Sequence, residues 1–286
     1  MSRWLVTGAG GMLGRDLVGA LERARENVSA FTHGDLDITD RAGVYAAVEA
    51  CHPDVVVNCA AWTAVDDAER YEQPALRVNR DGAEYAAAAC ASIGARLVHV
   101  STDYVFGGDA CRPYSEHDAV APRTAYGRSK LAGEEAVGRL LPRSGYIVRT
   151  AWLYGAHGPN FVRTVIRLER ERQAVRVVAD QRGQPTWTAD VAGQVIALVR
   201  SQAAAGVYHA TSSGDTTWFG LAREIFLLLG ADEARVVAVS STERPRPAPR
   251  PAYSVLGHDA WARAGIRPIR GWRDALRQAL PVLAAA

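Results

Sequence analysis

The sequence predicts an α/β fold: a doubly wound parallel sheet with a smaller α/β substrate-binding part interleaved after residue 150. Three observations predict it. Short β-branched runs alternate with longer Ala- and Leu-rich stretches through the first 150 residues, and that alternation builds parallel strands joined by crossover helices. The run Val55-Val56-Val57 is apolar on both faces, as a strand buried between two helix layers must be. A glycine-rich turn, Gly8 to Gly14, joins the first apolar run to the first helical stretch.

The elements follow in order. Trp4 to Val6 is a strand and Met12 to Arg23 a helix. Val28 to Phe31, Val55 to Val57, Arg96 to Ser101 and Tyr146 to Arg149 are the next strands. Between them lie helices over Arg41 to Cys51, Pro74 to Ile93 and Ala125 to Leu140. Right-handed crossovers bring the carboxyl ends of such strands to one edge, where ligands bind. After residue 150 the pattern loosens. Helices are expected over Asn160 to Arg172, Thr188 to Arg200 and Thr217 to Gly230, and strands over Ala174 to Val178, Val207 to Ala210 and Val236 to Val239. The expected division is 1–150, joined by parts of 188–212, against the remainder of 151–286. Arg244-Pro-Arg-Pro-Ala-Pro-Arg-Pro251 carries four prolines, which remove donors and fix φ. It reads as a surface loop or lid, or else as a linker.

Composition excludes several classes. The 286 residues are 48% hydrophobic and 22% charged, ordinary globular usage that argues against disorder and coiled coil. Lys and Arg total 33 against 31 Asp and Glu, too balanced for a nucleic-acid footprint. No apolar run reaches the length of a membrane span, and no nucleic-acid or membrane partner is expected. Cys51, Cys59, Cys90 and Cys111 show no CxxC spacing and read as reduced thiols of a cytoplasmic protein. The seven histidines offer no i, i+4 pair, so no metal site is expected from them.

Gly8, Gly11 and Gly14 form a GxxGxxG directly after a strand and at the start of a helix. The first permits a tight turn, the second lets a pyrophosphate approach the backbone, and the third lets helix and strand pack closely. The helix N-terminus then offers unpaired N–H groups to phosphate. The expected cofactor contacts are Gly8, Gly10, Gly11, Met12, Leu13 and Gly14, as in a Rossmann dinucleotide site. After the second strand no carboxylate appears until Asp35. Nothing there repels a 2′-phosphate, and His33 or Arg15 is placed to meet it, so NADPH is expected over NADH. Asp37 and Ile38 fall where such folds meet the adenine, unless Asp37 simply caps the helix at Arg41.

Tyr126 and Lys130 stand four apart at the start of a predicted helix, on one face. A neighbouring ammonium favours the phenolate and lowers the tyrosine pKa, making the tyrosine a competent acid toward a carbonyl under reduction. Ser101 or Thr102, at the end of the fourth strand, supplies a hydroxyl to orient that carbonyl.

With these motifs the chain resembles the extended short-chain dehydrogenases/reductases, and more closely the dTDP-4-dehydrorhamnose reductase family. The closer match rests on Asn58-Cys-Ala-Ala-Trp-Thr-Ala-Val-Asp-Asp-Ala-Glu69, Ser101-Thr-Asp-Tyr-Val-Phe-Gly107, Tyr126-Gly-Arg-Ser-Lys130, Arg149-Thr-Ala-Trp-Leu-Tyr-Gly155, Asp180-Gln-Arg-Gly-Gln-Pro-Thr186 and Arg250-Pro-Ala-Tyr-Ser254. The resemblance implies an NADPH-dependent reduction of a dTDP-4-keto sugar. Tyr126 would protonate the new hydroxyl, Lys130 would hold the nicotinamide ribose, and Thr102 would complete the triad. Cys59, Ala60, Ala61 and Thr63 would line the cofactor. Thr63, Val65, Thr102, Asp103, Tyr104 and Trp152 would face the sugar, with Asn160, Gln184, Pro185 and Thr186 toward the nucleotide. The plainer alternatives are a core aromatic for Trp152, a turn cap for Asp103, and a strand end for Pro185 and Thr186.

Two departures stand out. The family often ends its late motif in Asn-Ser-x-Leu-Asp; here Tyr253-Ser254-Val255-Leu256-Gly257 lacks the amide and the carboxylate. Some members dimerise through carboxylate-held magnesium. Asp16 is the one counterpart found for that set, so Mg2+ and a homodimer rest on the resemblance alone. A ketoreductase of another dTDP-deoxysugar, a non-catalytic NADP-binding subunit, and an epimerase or dehydratase are the competing readings.

Overall fold

The computed structural model describes residues 1–285. Six parallel strands form the central sheet: β1 (Arg3–Thr7), β2 (Asn27–Phe31), β3 (Val55–Asn58), β4 (Arg96–Thr102), β5 (Gly145–Thr150) and β10 (Gly206–His209). Their order is β2-β1-β3-β4-β5-β10. From β1 the chain moves first to one side and then, with β3, to the other. The sheet's switch point therefore lies between β1 and β3, at their carboxyl ends.

Alternation along each strand divides the side chains between two layers. Trp4, Val6, Val55, Val57, Val98 and Val148 point to one face. There they pack against α1 (Met12–Arg23), α8 (Thr188–Arg200) and α10 (Asp259–Arg263), through Leu17, Leu21, Val195, Leu198 and Trp261. Leu5, Val56, Leu97 and Ile147 point to the other. They meet α2 (Arg41–Cys51), α5 (Gly82–Ile93) and α6 (Ala125–Leu140) through Val44, Val48, Ala86, Cys90 and Val137. Asp40 caps α2 by accepting from the Ala42 amide (3.0 Å), so the cap is Asp40 and not Asp37.

The helix expected over Pro74 to Ile93 is broken into parts. It runs as α4 (Glu72–Leu76), a π-helical turn at Arg77–Asp81, then α5. The wide turn aims Asn79 inward. Its amide donates to the Trp62 carbonyl (3.1 Å) and to Ser129 Oγ (2.9 Å) while its oxygen accepts from the Trp62 amide (2.9 Å). Such bulges recur at functional sites, and this one ties the loop after β3 to α6.

Beyond β5 a further core forms from α7 (Phe161–Glu171), β7 (Val175–Val178), α9 (Trp218–Leu228), β12 (Val236–Val239) and α11 (Trp272–Ala285). The chain crosses repeatedly. It leaves the central sheet after β5, returns with α8 and β10, leaves for α9 and β12, returns with α10, and ends in α11. Helices α10 and α11 have no counterpart in the sequence reading, although Trp272, Ala275, Leu276, Ala279, Leu280 and Leu283 are all buried at helical spacing.

The proline-rich stretch is a strap fastened across the protein. The Ala248 amide (3.2 Å) and the Arg250 guanidinium (2.7 Å) both donate to Asp66 in α3 (Val65–Arg70), and Pro251 packs on Gly108. Among the described residues no helix is long and apolar enough to cross a membrane.

Candidate active site

The glycine turn lies at the switch point. Gly8 has φ +65°, and a Cβ there would sit 2.5 Å from the Ala60 amide nitrogen. Gly14 abuts the Gly8 carbonyl so closely that a side chain would displace the turn. The Gly11 amide donates to Gly8 O (3.0 Å), and the Ala9 amide ties the turn to Phe31 O (2.9 Å). Gly11 is the N-cap residue of α1, and no side chain caps that terminus. Gly10 and Gly11 are exposed, Met12 is half-buried, and Leu13 is a core residue. A shallow backbone cradle with free helix N–H groups fits a pyrophosphate. Cys59, Ala60 and Ala61 face it, half-buried, and Thr63 is exposed beyond them.

Asp35 is engaged in closing the turn after β2, accepting from the Thr32 amide (2.9 Å) and hydroxyl (2.6 Å). Asp37 does the same for Thr39. Arg15 is anchored beside the loop through Gly10 O (3.0 Å), and His33 is exposed. Ile38 differs from its sequence expectation. Its side chain is buried against Gly82 of α5, because the β-branched residue fills the gap left by the missing Cβ.

Tyr126 occupies the first turn of α6. Thr124 caps the helix by accepting from the Gly127 amide (2.9 Å), and Glu69 accepts from the Ala125 amide (2.9 Å). Gly127 is a functional glycine that sequence reasoning missed. A side chain there would strike the Tyr104 carbonyl, so only glycine brings Tyr104 edge-on to Tyr126, with ring centroids 5.6 Å apart. The available signal was a glycine inside a helix, which costs about 1 kcal/mol relative to alanine and calls for a packing reason.

Burial pushes the Tyr126 phenol up to about 12, with the Thr102 hydroxyl pulling the other way. This corrects the sequence expectation that Lys130 lowers it. The Lys130 ammonium nitrogen is aimed instead at the Val100 carbonyl (2.7 Å). Burial brings Lys130 down to about 8. Thr102 donates to Asp103 Oδ1 (3.0 Å) and accepts from the Tyr104 amide (3.2 Å), so Thr102 is the turn cap here. Asp103 is 3% exposed, its Oδ2 finds no partner among the described residues, and burial pushes it up to about 6. Below the site, Glu134 of α6 takes a paired bond from Arg149 of β5 (2.7 and 3.0 Å) and a short one from Ser101.

Trp152 is half-buried with φ +46°, an uncommon conformation for a side-chain-bearing residue. One face stacks on Trp218 (3.5 Å, 8° between planes), and Gly183 lies against the indole, where a Cβ would come within 2.5 Å. Only its edge remains for a ligand. Val65 opens α3 and packs beside Tyr126.

At the nucleotide end the expected residues also hold segments of the protein together. Gln184 is buried with its amide fully engaged. It donates to Ser212 O (3.0 Å) and Leu256 O (3.2 Å), and accepts from the Leu256 amide (2.8 Å) and the Thr211 hydroxyl (2.9 Å). Thr186 donates to Gln184 O and accepts from the Ser212 amide, and Pro185 is buried. These side chains staple three segments together. Asn160 likewise caps α7 (Arg163 N, 3.1 Å) and holds Gly155 O (2.8 Å). Asp16 is engaged by the Thr188 hydroxyl, and among the described residues no three His, Cys, Asp or Glu side chains converge as metal ligands.

A glycine cradle at a parallel-sheet switch point, beside a buried Tyr-x3-Lys and a threonine, defines an oxidoreductase of the short-chain dehydrogenase/reductase type. The chain is 57% identical over 283 residues to a dTDP-4-keto-6-deoxy-D-glucose reductase of Streptomyces niveus, covering 99% of this chain and 98% of that one. It is 55% identical to a dTDP-4-dehydrorhamnose reductase of Streptomyces griseus, covering 98% and 94%. The structure of the Bacillus anthracis dTDP-4-dehydrorhamnose reductase in complex with NADP superposes with a TM-score of 0.94 at 38% identity, covering 98% of this chain and 99% of that one. The family model described as the RmlD substrate binding domain matches residues 2–284, and the chain belongs to that family.

Proposed function

We propose that the chain reduces the 4-keto group of a dTDP-4-keto-6-deoxyhexose with NADPH, converting dTDP-4-dehydrorhamnose to dTDP-L-rhamnose. The single observation that carries this reading is Tyr126: a buried phenol held protonated at neutral pH, with the Thr102 hydroxyl and Asp103 beside it. Gly8 to Leu13 would receive the pyrophosphate, and Arg15 and His33 a 2′-phosphate. The bound nicotinamide would supply the hydride. Tyr126 gives its proton to the oxygen that becomes the C4 hydroxyl, and Thr102 orients that oxygen. Asp103 turns its free Oδ2 to a sugar hydroxyl. The Trp152 edge and the strap at 244–251 exclude water. In this reading residues 1–150 with 188–212 carry the cofactor, and the remainder shapes the sugar-nucleotide site.

The test is Tyr126→Phe. It should fold, bind NADPH within a few-fold of the parent, and lose about 10²–10⁴ in turnover. Near-parental turnover would sink the assignment. A second reading keeps the chemistry and changes the sugar. Tyr253 and Gly257 stand where the family's motif often has an amide and a carboxylate, and the Tyr253 phenol packs beside Tyr114 and Leu256. The Streptomyces niveus relative carries the name of a different 4-keto sugar's reductase. Product NMR across a panel of dTDP-4-keto-6-deoxyhexoses separates the two.

A further inference from the structure

Trp152 stands where the chain changes sheets. Thr150, the last residue of β5, pairs with Thr102 of β4. Leu153 and Tyr154 already pair with Thr186 and Trp187, outside the central sheet. The bend between them is made at Trp152, with φ +46°. The Thr186 amide donates to the Trp152 carbonyl (3.2 Å) and fixes it. Glycine takes this conformation readily, whereas a bulky residue there is an outlier. The backbone favours glycine and the sequence has tryptophan, so the indole itself is what the position retains.

Both faces of that indole are covered by elements outside the central sheet. Trp218, the first residue of α9, stacks on one face (3.5 Å between ring centroids, 8° between planes). Thr217 caps α9 by accepting from the Gly220 amide (3.0 Å), and the Phe161 ring lies 4.7 Å from Trp218, so Trp218 is itself held. A Cβ on Gly183 would lie 2.5, 2.7 and 2.8 Å from Cε2, Cζ2 and Nε1 of Trp152. Near-equal distances to one ring atom and the two bonded to it place Gly183 over the ring and not at its rim. All three nearest atoms belong to Trp152, so Gly183 lies on the face away from Trp218. The two jaws are joined, because β8 (Arg182–Gly183) pairs with β11 (Thr216–Thr217), directly before Trp218. A face-to-face sandwich is the less favoured arrangement of two aromatic rings. Two locally unfavourable features thus meet in one residue beside the catalytic strand, and such features persist where the surrounding structure imposes them.

We propose that Trp218 and Gly183 are positioning residues for the sugar site: they clamp the Trp152 indole between α9 and β8, so that its free edge is a fixed wall that discriminates among 4-keto-6-deoxyhexoses of different configuration. The inference rests on the proposed function, in which that edge faces the sugar. An indole free to turn about its side-chain bonds would yield to a misplaced hydroxyl or methyl group. One held on both faces does not yield, and the wrong epimer is pushed away from Tyr126.

Trp218→Leu removes one jaw. Its kcat/KM for the preferred sugar nucleotide should fall by about 10- to 100-fold, the scale of a misplacement of about 1 Å. Its preference for that sugar over an epimer should fall as well, while NADPH affinity stays unchanged. Trp218→Phe, which keeps a ring face, should recover most of the loss. Gly183→Ala, whose methyl would enter the indole, should repeat it. Trp152→Ala already lacks the wall, so adding Trp218→Leu to it should cost nothing further. A second loss of the same size in the double variant, or NADPH affinity falling in step, overturns the inference, since Trp218 would then act on the ligand or on the fold at large. A further measurement needs no turnover. Protein made with ¹⁵N-tryptophan gives an indole N–H signal for each of the 7 tryptophans, and the one missing in Trp152→Phe belongs to Trp152. Its order parameter should be about 0.85 in the parent and below about 0.6 in Trp218→Leu. A mobile indole in the parent overturns the clamp even if Trp218→Leu does not fold. If the indole is rigid and Trp218→Leu releases it while no dTDP-4-keto sugar is reduced, the clamp stands and the substrate reading falls.

Discussion

Replacing Asp103 with asparagine should separate stability from activity. Burial raises this carboxyl from 3.8 to about 6 in the folded protein. The folded state thus binds the proton more tightly than the unfolded chain. The stability this contributes is complete below pH 3.8 and is lost as pH rises through 6. A shift of about 2 units corresponds to about 3 kcal/mol in full, of which about 1.4 kcal/mol develops between pH 5 and pH 7.5. Asparagine retains an acceptor for the Thr102 hydroxyl, places an amide where Oδ2 lacks a partner, and does not titrate. Asp103→Asn should therefore gain on the parent by about 1.4 kcal/mol on going from pH 5 to pH 7.5, the remaining titrations being common to both proteins. The assay is urea unfolding of both proteins at the two pH values, followed by tryptophan fluorescence. A difference between them that does not change with pH, or that moves toward the parent, would refute the reasoning. Turnover should fall at least tenfold at both values, since the sugar loses its partner at Oδ2.

Gly127→Ala should lower both Tm and kcat, because contact with the Tyr104 carbonyl outweighs the helix-propensity gain of about 1 kcal/mol; a stabilised variant would contradict the close approach. Glu134→Gln leaves the Arg149 guanidinium buried without its carboxylate and should cost about 3–5 kcal/mol in urea unfolding. In a thiol titration of the native protein, exposed Cys111 should react first. Cys90, fully buried and pushed up to about 12, should wait for unfolding.

Much of the platform was legible in the sequence because its signals are local. The glycine turn, the apolar strand Val55-Val56-Val57 and the Tyr-x3-Lys spacing each act within a few residues, and the structure places all three at one sheet edge. The sequence of α11 also carries its signal, in apolar residues three and four apart from Trp272 to Leu283. The π-helical turn at Arg77–Asp81 was not. Nothing in Pro74 to Ile93 distinguishes a continuous helix from one widened by a tertiary contact, here Asn79 reaching Trp62 and Ser129.

Residue identity says least where a polar side chain is used internally. Gln184 and Thr186 are engaged by backbone groups of distant segments, in one case the Leu256 carbonyl 72 residues away. Hydrogen-bond partners at that separation are set by how the segments pack, which no local pattern encodes. The same holds for Lys130. Its position four residues after Tyr126 follows from sequence alone, since the helix repeat puts both on one face. Its proton affinity follows from burial between α6 and the sheet, which brings it down to about 8 while Glu134 pulls the other way. Sequence determined which residues are available and which share a face. Tertiary structure decided their protonation, because burial and donor–acceptor pairing act through space.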